Sequence, residues 1–225
     1  MARVKLTREH LVKDDDRDWA ERYRGMADVA TPQERAVALA HAIDAIDDWD
    51  AVWAFAYGSL IWNPAFHFVE RVVGKVYGLH RDFCLRSHIG RGTPRRPGLM
   101  LGLDRGGSCL GVAYHIARDS VETELDLLFK REMLTRIYKP TWVTVHTASH
   151  KVRALTFVVD RNNDRYTSNL PESVQLEMFA KASGQLGPCY EYLFDTVRHL
   201  DELDITDRRL CRLAVKVRAY MDRER

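Results

Sequence analysis

The stretch Val52-Trp53-Ala54-Phe55-Ala56-Tyr57-Gly58-Ser59-Leu60-Ile61-Trp62 constrains the fold more than any other part of the chain. Its first residues are apolar, aromatic or small, which is the composition of a buried strand. Gly58-Ser59 then breaks the strand, because glycine reaches backbone angles closed to other residues. A buried strand that stops at such a turn leaves successive backbone N–H groups without ladder partners. Groups of that kind can converge on an anion or on a developing oxyanion. An ordinary strand followed by a tight turn has the same signature, so this stretch fixes local structure before it fixes any chemistry.

Around it, the chain of 225 residues is long enough for one large domain or two small ones. Residues 1–30 are highly charged, with Asp14-Asp15-Asp16 and Arg22 to Arg24, and predict a solvated arm or short helix. Residues 31–225 are expected to form a single domain. Thr31-Pro32-Gln33-Glu34 is a capping box with proline at the first helical position. It predicts a helix with Ala36, Leu39, Ala40, Ile43 and Ile46 as its apolar stripe, ending near Asp47-Asp48.

The middle of the chain is strand-rich. Strands are predicted over 52–57, 66–77, 82–85, 99–103 and 109–116, separated by turn signals such as Pro97-Gly98 and Arg105-Gly106-Gly107. Asp119 with Glu122 predicts a helix start, with Val121, Leu125, Leu128 and Phe129 on one face. Two further strands follow near 142–147 and 154–159. The last third reads as three helices: one from Pro171-Glu172 to Ser183-Gly184, one over 190–200, and one with Leu210, Leu213, Ala214 and Val217 facing a core. Strands with few helices followed by a helical tail give the α+β class.

Several function classes are disfavoured. A formal net charge of +2 is too small to argue for a nucleic-acid or membrane partner. No run approaches the roughly 18 apolar residues of a membrane span, and the N-terminus has no apolar leader segment, so the expectation is a cytoplasmic protein. Cys84, Cys109, Cys189 and Cys211 are scattered without a CxxC pair, which suits reduced thiols rather than a disulfide framework or a zinc site. His146 and His150 have metal-ligand spacing for a helix, but Val143-Thr144-Val145 around them is β-branched and reads as strand. No metal is expected. Ser59 lacks the second glycine of a nucleophile elbow and is not read as a nucleophile.

Glu132, in Lys130-Arg131-Glu132-Met133, is placed at the C-terminal end of the helix that Asp119 opens. There the negative end of the helix dipole and apolar Met133, Leu134 and Ile137 would both raise its pKa toward neutrality. That suits a general base or acid at cellular pH. Taken alone, the residues favour a surface glutamate paired with Lys130 or Arg131, because charged side chains are mostly exposed.

Taken together, these stretches resemble the ChaC-type gamma-glutamylcyclotransferases that act on glutathione, and among them the bacterial members. The resemblance rests on Phe55-Ala56-Tyr57-Gly58-Ser59-Leu60-Ile61-Trp62-Asn63-Pro64, Phe83-Cys84-Leu85-Arg86, and Gly90-Arg91-Gly92-Thr93 with Pro97-Gly98. It continues through Gly111-Val112-Ala113-Tyr114, Lys130-Arg131-Glu132-Met133 with Tyr138-Lys139-Pro140-Thr141-Trp142, and 182–187 with Tyr192-Leu193-Phe194. It implies a small mixed β-barrel flanked by helices, with a helical C-terminal third. It also implies cleavage of glutathione to 5-oxoproline and cysteinylglycine without a metal or organic cofactor. Carried over residue by residue, the catalytic glutamate falls on Glu132, and the backbone amides that hold the gamma-glutamyl group fall on Tyr57, Gly58, Ser59 and Leu60. Arg91, Tyr138 and Tyr192 join the implied substrate-binding set; for Arg91, a substrate carboxylate and plain solvent are both open as partners. The sequence departs from the family at Cys189, where members often carry Asn, which bears on substrate detail. Two other readings stay open: a cyclotransferase for other gamma-glutamyl amines or peptides, and a non-catalytic regulator linked to cation transport.

Overall fold

The computed structural model describes residues 7–13 and 28–224. Five strands, β1 (Trp53–Ala56), β2 (Glu70–Ser87), β3 (Gly98–His115), β4 (Tyr138–His146) and β5 (Lys151–Val159), close into a barrel in the order β1-β3-β2-β4-β5. The barrel is mixed. β1 runs antiparallel to β3, with Trp53 opposite His115 and Ala56 opposite Val112, and parallel to β5, with Trp53 opposite Ala154. β4 and β5 form an antiparallel hairpin over their full lengths, and β3 meets β5 in parallel at Leu103 and Val158. Closure leaves no long open edge. β1 is buried at all four positions, as its composition predicts.

Of the described residues, those in Leu6–Asp82 and Gly102–Asn163 form one compact unit, and those in Phe83–Leu101 and Asp164–Arg225 form a second. In the first, the barrel unit, the capping box opens α2 (Pro32–Asp44) as expected, with Thr31 and Glu34 each closing on the other's backbone. α1 (Arg8–Lys13) precedes it, and Arg8 bonds both oxygens of the buried Glu124 on α3 (Val121–Glu132). The Asp14-Asp15-Asp16 and Arg22 to Arg24 runs of the expected arm lie outside the described residues. Phe129 of α3 meets Phe157 of β5 edge-on at 5.5 Å, a packing geometry favoured by ring quadrupoles.

The second, helical unit holds α4 (Glu172–Lys181), α5 (Cys189–Asp201) and α6 (Arg208–Arg223), with a short hairpin of β6 (Ser183–Gly184) and β7 (Gly187–Pro188). Its core includes Phe83, edge-on to Phe179 at 4.8 Å and to Tyr192 at 5.8 Å. Asp207 caps α6, accepting from the amides of Arg209 and Leu210. Among the described residues no helix is long and apolar enough to cross a membrane.

Four local expectations are corrected. The strands predicted over 66–77 and 82–85 are one 18-residue strand, β2, and those over 99–103 and 109–116 are one, β3. Gly78, Gly106 and Gly107 adopt positive φ (78°, 105° and 67°) inside these strands, so glycine's freedom is used to keep the ladder going instead of ending it. On α2 the buried residues are Arg35 and Ala42, while Ala36 and Ala40 are exposed. That face is chosen by tertiary contacts: Arg35 donates to Ala30 O, and Trp142 of β4 donates to Ala42 O at 3.2 Å. Asp119 caps nothing; it sits in a 3₁₀ turn (Arg118–Ser120) ahead of α3. α4 stops at Lys181, and Ser183-Gly184 starts the hairpin.

Candidate active site

The barrel unit brings the turn after β1 and the end of α3 to one place. Tyr57 is fixed from three sides. Its hydroxyl donates to Phe157 O on β5 at 3.0 Å, its carbonyl accepts from the buried Arg81 of β2, and β1 holds its backbone. Beyond it the chain makes a 3₁₀ turn, Ser59–Ile61. Gly58 O accepts from Ile61 N–H (2.9 Å), Ser59 O from the amides of Trp62 and Asn63, and Ile61 O from the Tyr114 hydroxyl (2.8 Å). Three carbonyls of the turn are therefore occupied. Among the described residues, the amides of Gly58, Ser59 and Leu60 have no carbonyl partner, as the first donors of a helical turn do not. Gly111 on β3 permits the close approach that shapes this end of β1. A Cβ there would stand 2.3 Å from Ala56 O and 2.7 Å from the Phe55 ring.

Glu132 is the last residue of α3. Its side chain keeps 15% of its surface, and the next residue in the chain, Met133, is buried. Glu132 Oε1 accepts from Arg131 Nε at 3.0 Å, and Lys130 turns away to Asp126. Burial pushes the carboxyl above the ordinary glutamate range, while the Arg131 guanidinium pulls the other way. Glu132 thus pairs with arginine, but inside the protein and not on its surface.

The connection between the two elements is Arg131. Its side chain is 3% exposed, and the guanidinium that holds Glu132 also donates from Nη2 to Ser59 Oγ at 3.1 Å and from Nη1 to Asn63 O. One planar cation thereby joins carboxylate and turn. The sequence reading passed over Arg131 as a functional residue. A signal was present: the buried spacing Glu124, Leu127, Leu128 of α3 continues to Arg131, and Val121, Leu125, Leu128 continues to Glu132.

Of the other expected site residues, Tyr138 lies in the barrel unit, buried at the start of β4 opposite Val159. Arg91 and Tyr192 belong to the helical unit and meet each other. The guanidinium lies 5.3 Å from the Tyr192 ring centroid, and Nη1 donates to Pro188 O at 3.3 Å. Arg91 is half-buried, and burial lowers its pKa. Cys189, the departure from the family pattern, is buried at the start of α5. Its Sγ accepts Leu99 N–H at 3.1 Å and lies 3.4 Å from Leu99 O, and burial pushes the thiol to about 11. His146 ends β4 as a strand residue, its ring against Tyr77, and His150 lies in the turn before β5. A cavity of about 530 Å³ near the start of β1, lined in part by Asp48, Trp53, His115 and Trp142, includes neither Glu132 nor the Ser59 turn.

Comparison with known proteins places the chain in a family. The model of the family described as ChaC-like protein matches residues 52–220. A glutathione-specific gamma-glutamylcyclotransferase of Escherichia coli (strain K12) is 42% identical over 190 residues, 84% of this chain and 82% of the relative. Gamma-glutamylcyclotransferase 2-3 of Arabidopsis thaliana is 32% identical over 179 residues, 75% of this chain and 89% of that one. Among solved structures, a yeast gamma-glutamyl cyclotransferase specific to glutathione shares the fold, with a TM-score of 0.70 at 21% identity, covering 76% of this chain and 97% of that one. By the extent of the family match and the identity to the bacterial relative, this chain belongs to the ChaC-like protein family.

Proposed function

We propose that this protein cleaves glutathione to 5-oxoproline and cysteinylglycine, with Glu132 as general base and then general acid. The observation that carries the reading is the shared guanidinium: Arg131 ties the Glu132 carboxylate to a turn whose Gly58, Ser59 and Leu60 amides have no carbonyl partner. The name of the Escherichia coli relative supports the substrate.

The chemistry suits these groups because the substrate brings its own nucleophile. Glu132 takes a proton from the α-ammonium of the gamma-glutamyl group. The freed nitrogen attacks the γ-carbonyl carbon and closes a five-membered ring. Charge gathers on the carbonyl oxygen, where the amides of the turn stabilise it; Tyr57, Gly58, Ser59 and Leu60 are the residues assigned to this grip. When the bond from the γ-carbon to the cysteinylglycine nitrogen breaks, Glu132 returns a proton to that nitrogen. The second proton shed by the ring nitrogen and the last one gained by the leaving amine exchange with solvent. No water is consumed. Holding the chain in its ring-closing rotamer can supply about 7–11 kcal/mol in a well-oriented intramolecular reaction. A carboxyl raised by burial is suited to both taking and returning the proton, a role worth about 10²–10⁴-fold.

The test is to incubate purified protein with glutathione and a panel of other gamma-glutamyl peptides and amines, identifying products by mass spectrometry. Glutathione is expected to give 5-oxoproline and cysteinylglycine. Glu132→Gln is expected to lower kcat by about 10²–10⁴-fold with an unchanged circular dichroism spectrum. Near-normal turnover by Glu132→Gln overturns the role of Glu132. Release of 5-oxoproline from other panel members but not from glutathione overturns the substrate.

A further inference from the structure

A guanidinium has five donors and no acceptor, so each of its partners must accept from it. This fixes the hydrogen-bonding sense of everything Arg131 touches. Ser59 Oγ accepts from Nη2, which leaves the serine proton to be given elsewhere. Among the described residues that hydroxyl donates to nothing. Glu132 Oε1 accepts from Nε, which leaves Oε2 to receive a proton. The carbonyl of Asn63 takes the remaining arm and locks the cation to the far end of the turn. Its side chain is 3% exposed, so the guanidinium makes these bonds largely out of water.

We propose that Arg131 is the positioning residue of this site: it holds the Glu132 carboxylate and the Ser59 hydroxyl in one rigid frame, the first poised to accept a proton from substrate and the second to donate one to it. The inference rests on the reading of Glu132 as general base. It adds a specific role for Ser59, a donor to the reacting carbonyl or to a substrate carboxylate, and it makes the two residues depend on a third.

The electrostatics agree with the geometry. Burial raises the Glu132 pKa, and the opposing influence comes from Arg131 alone. The other cations nearby in sequence are engaged elsewhere: Lys130 with Asp126, Lys139 with Asp160, and Arg136 with Asp28 and Glu34. Tyr57, just past β1, and Tyr138, at the start of β4, are the phenols among the expected site residues of the barrel unit. Removing the Arg131 charge therefore leaves burial unopposed, and the basic form of Glu132 is reached only at higher pH.

The experiment compares Arg131→Gln, Arg131→Lys, Ser59→Ala and Ser59→Ala/Arg131→Gln by their pH profiles of kcat and kcat/KM for glutathione, with thermal melts to confirm folding. Arg131→Gln is expected to lower kcat/KM at pH 7 by about 100-fold, the scale of an ångström of misplacement. Its acidic limb should move to higher pH. Arg131→Lys keeps the charge but loses the fork, so its limb should stay near that of the wild type while kcat falls about tenfold. In the double variant the Ser59 substitution should cost much less than it does alone, because its hydroxyl is already unoriented. A pH-independent loss in Arg131→Gln, full additivity in the double variant, or wild-type kcat in Arg131→Lys each overturns the proposal. If the glutamine variant does not fold, the lysine variant decides by itself. Glu132→Gln in the same series separates the two levels. If it is active, the functional reading fails; if it is inactive while the Arg131 variants behave as wild type, only the present inference fails.

Discussion

The two units each contain one arginine of special interest, and the two are built differently. In the barrel unit, Arg131 is almost wholly buried and gives hydrogen bonds to a carboxylate, a hydroxyl and a carbonyl. In the helical unit, Arg91 is half-buried, lies over the Tyr192 ring and reaches one carbonyl through a long 3.3 Å contact. Asp195 and Glu191 act on it only through space. Among the described residues, most of the Arg91 donors are therefore idle, whereas each of the three guanidinium nitrogens of Arg131 donates a hydrogen bond. A committed guanidinium organises its neighbours, while one with idle donors on a supporting ring can receive an anion from outside.

The largest test of that contrast is stability. Arg131→Met leaves Glu132 buried without its cation, and the expected cost is about 3 kcal/mol at pH 8, the lower end of the range for breaking a buried pair. The sign with pH follows from the raised Glu132 pKa. A carboxyl raised in the folded state favours folding below its unfolded pKa, and that benefit is lost as pH rises through the folded value. The gap in Tm between wild type and Arg131→Met should therefore widen from pH 5 to pH 8. An equal gap at both pH values would mean that the pair is not what holds this end of α3.

Next in size is Cys189→Ala, which removes the sulfur that accepts from the Leu99 amide in the helical unit; about 1–3 kcal/mol should be lost, read by urea denaturation. With its thiol pushed to about 11, Cys189 should also resist iodoacetamide in the native protein at pH 8, while the partly exposed Cys211 reacts. Arg91→Met sharpens the comparison from the other side. If the idle donors receive a substrate carboxylate, KM for glutathione rises about tenfold, roughly 1.4 kcal/mol, with kcat little changed. A fall in kcat with KM unmoved would remove Arg91 from the binding set. The smallest effect, about 1 kcal/mol, is expected for Thr31→Ala, which opens the capping box of α2 without touching either arginine.

How much could be read in advance follows the range of the interactions. The capping box, the buried β1, the Gly-Ser turn, the presence of the strands β4 and β5 and the three C-terminal helices were legible because each is written in contiguous residues. Glu132 at the end of α3 was legible for the same reason. The continuity of β2 and β3 was not, because a glycine in a strand has the same local signature whether it ends the ladder or bends within it. The rotation of α2 was not, because Arg35 is buried through a carbonyl at the helix start and Ala42 through a tryptophan on a distant strand.

By itself, the sequence determined the α+β class, the barrel strand that ends in a turn, the acidic residue at a helix end, and the family resemblance that joins them. Only the tertiary structure decided that Glu132 is buried, that its cation is Arg131, and that the same cation reaches Ser59, which is 72 positions away along the chain. Chain order encodes which groups stand within a turn or a strand of one another. Which charges lose their water, and which partner then compensates them, is set by barrel closure and by the packing of α3 against it.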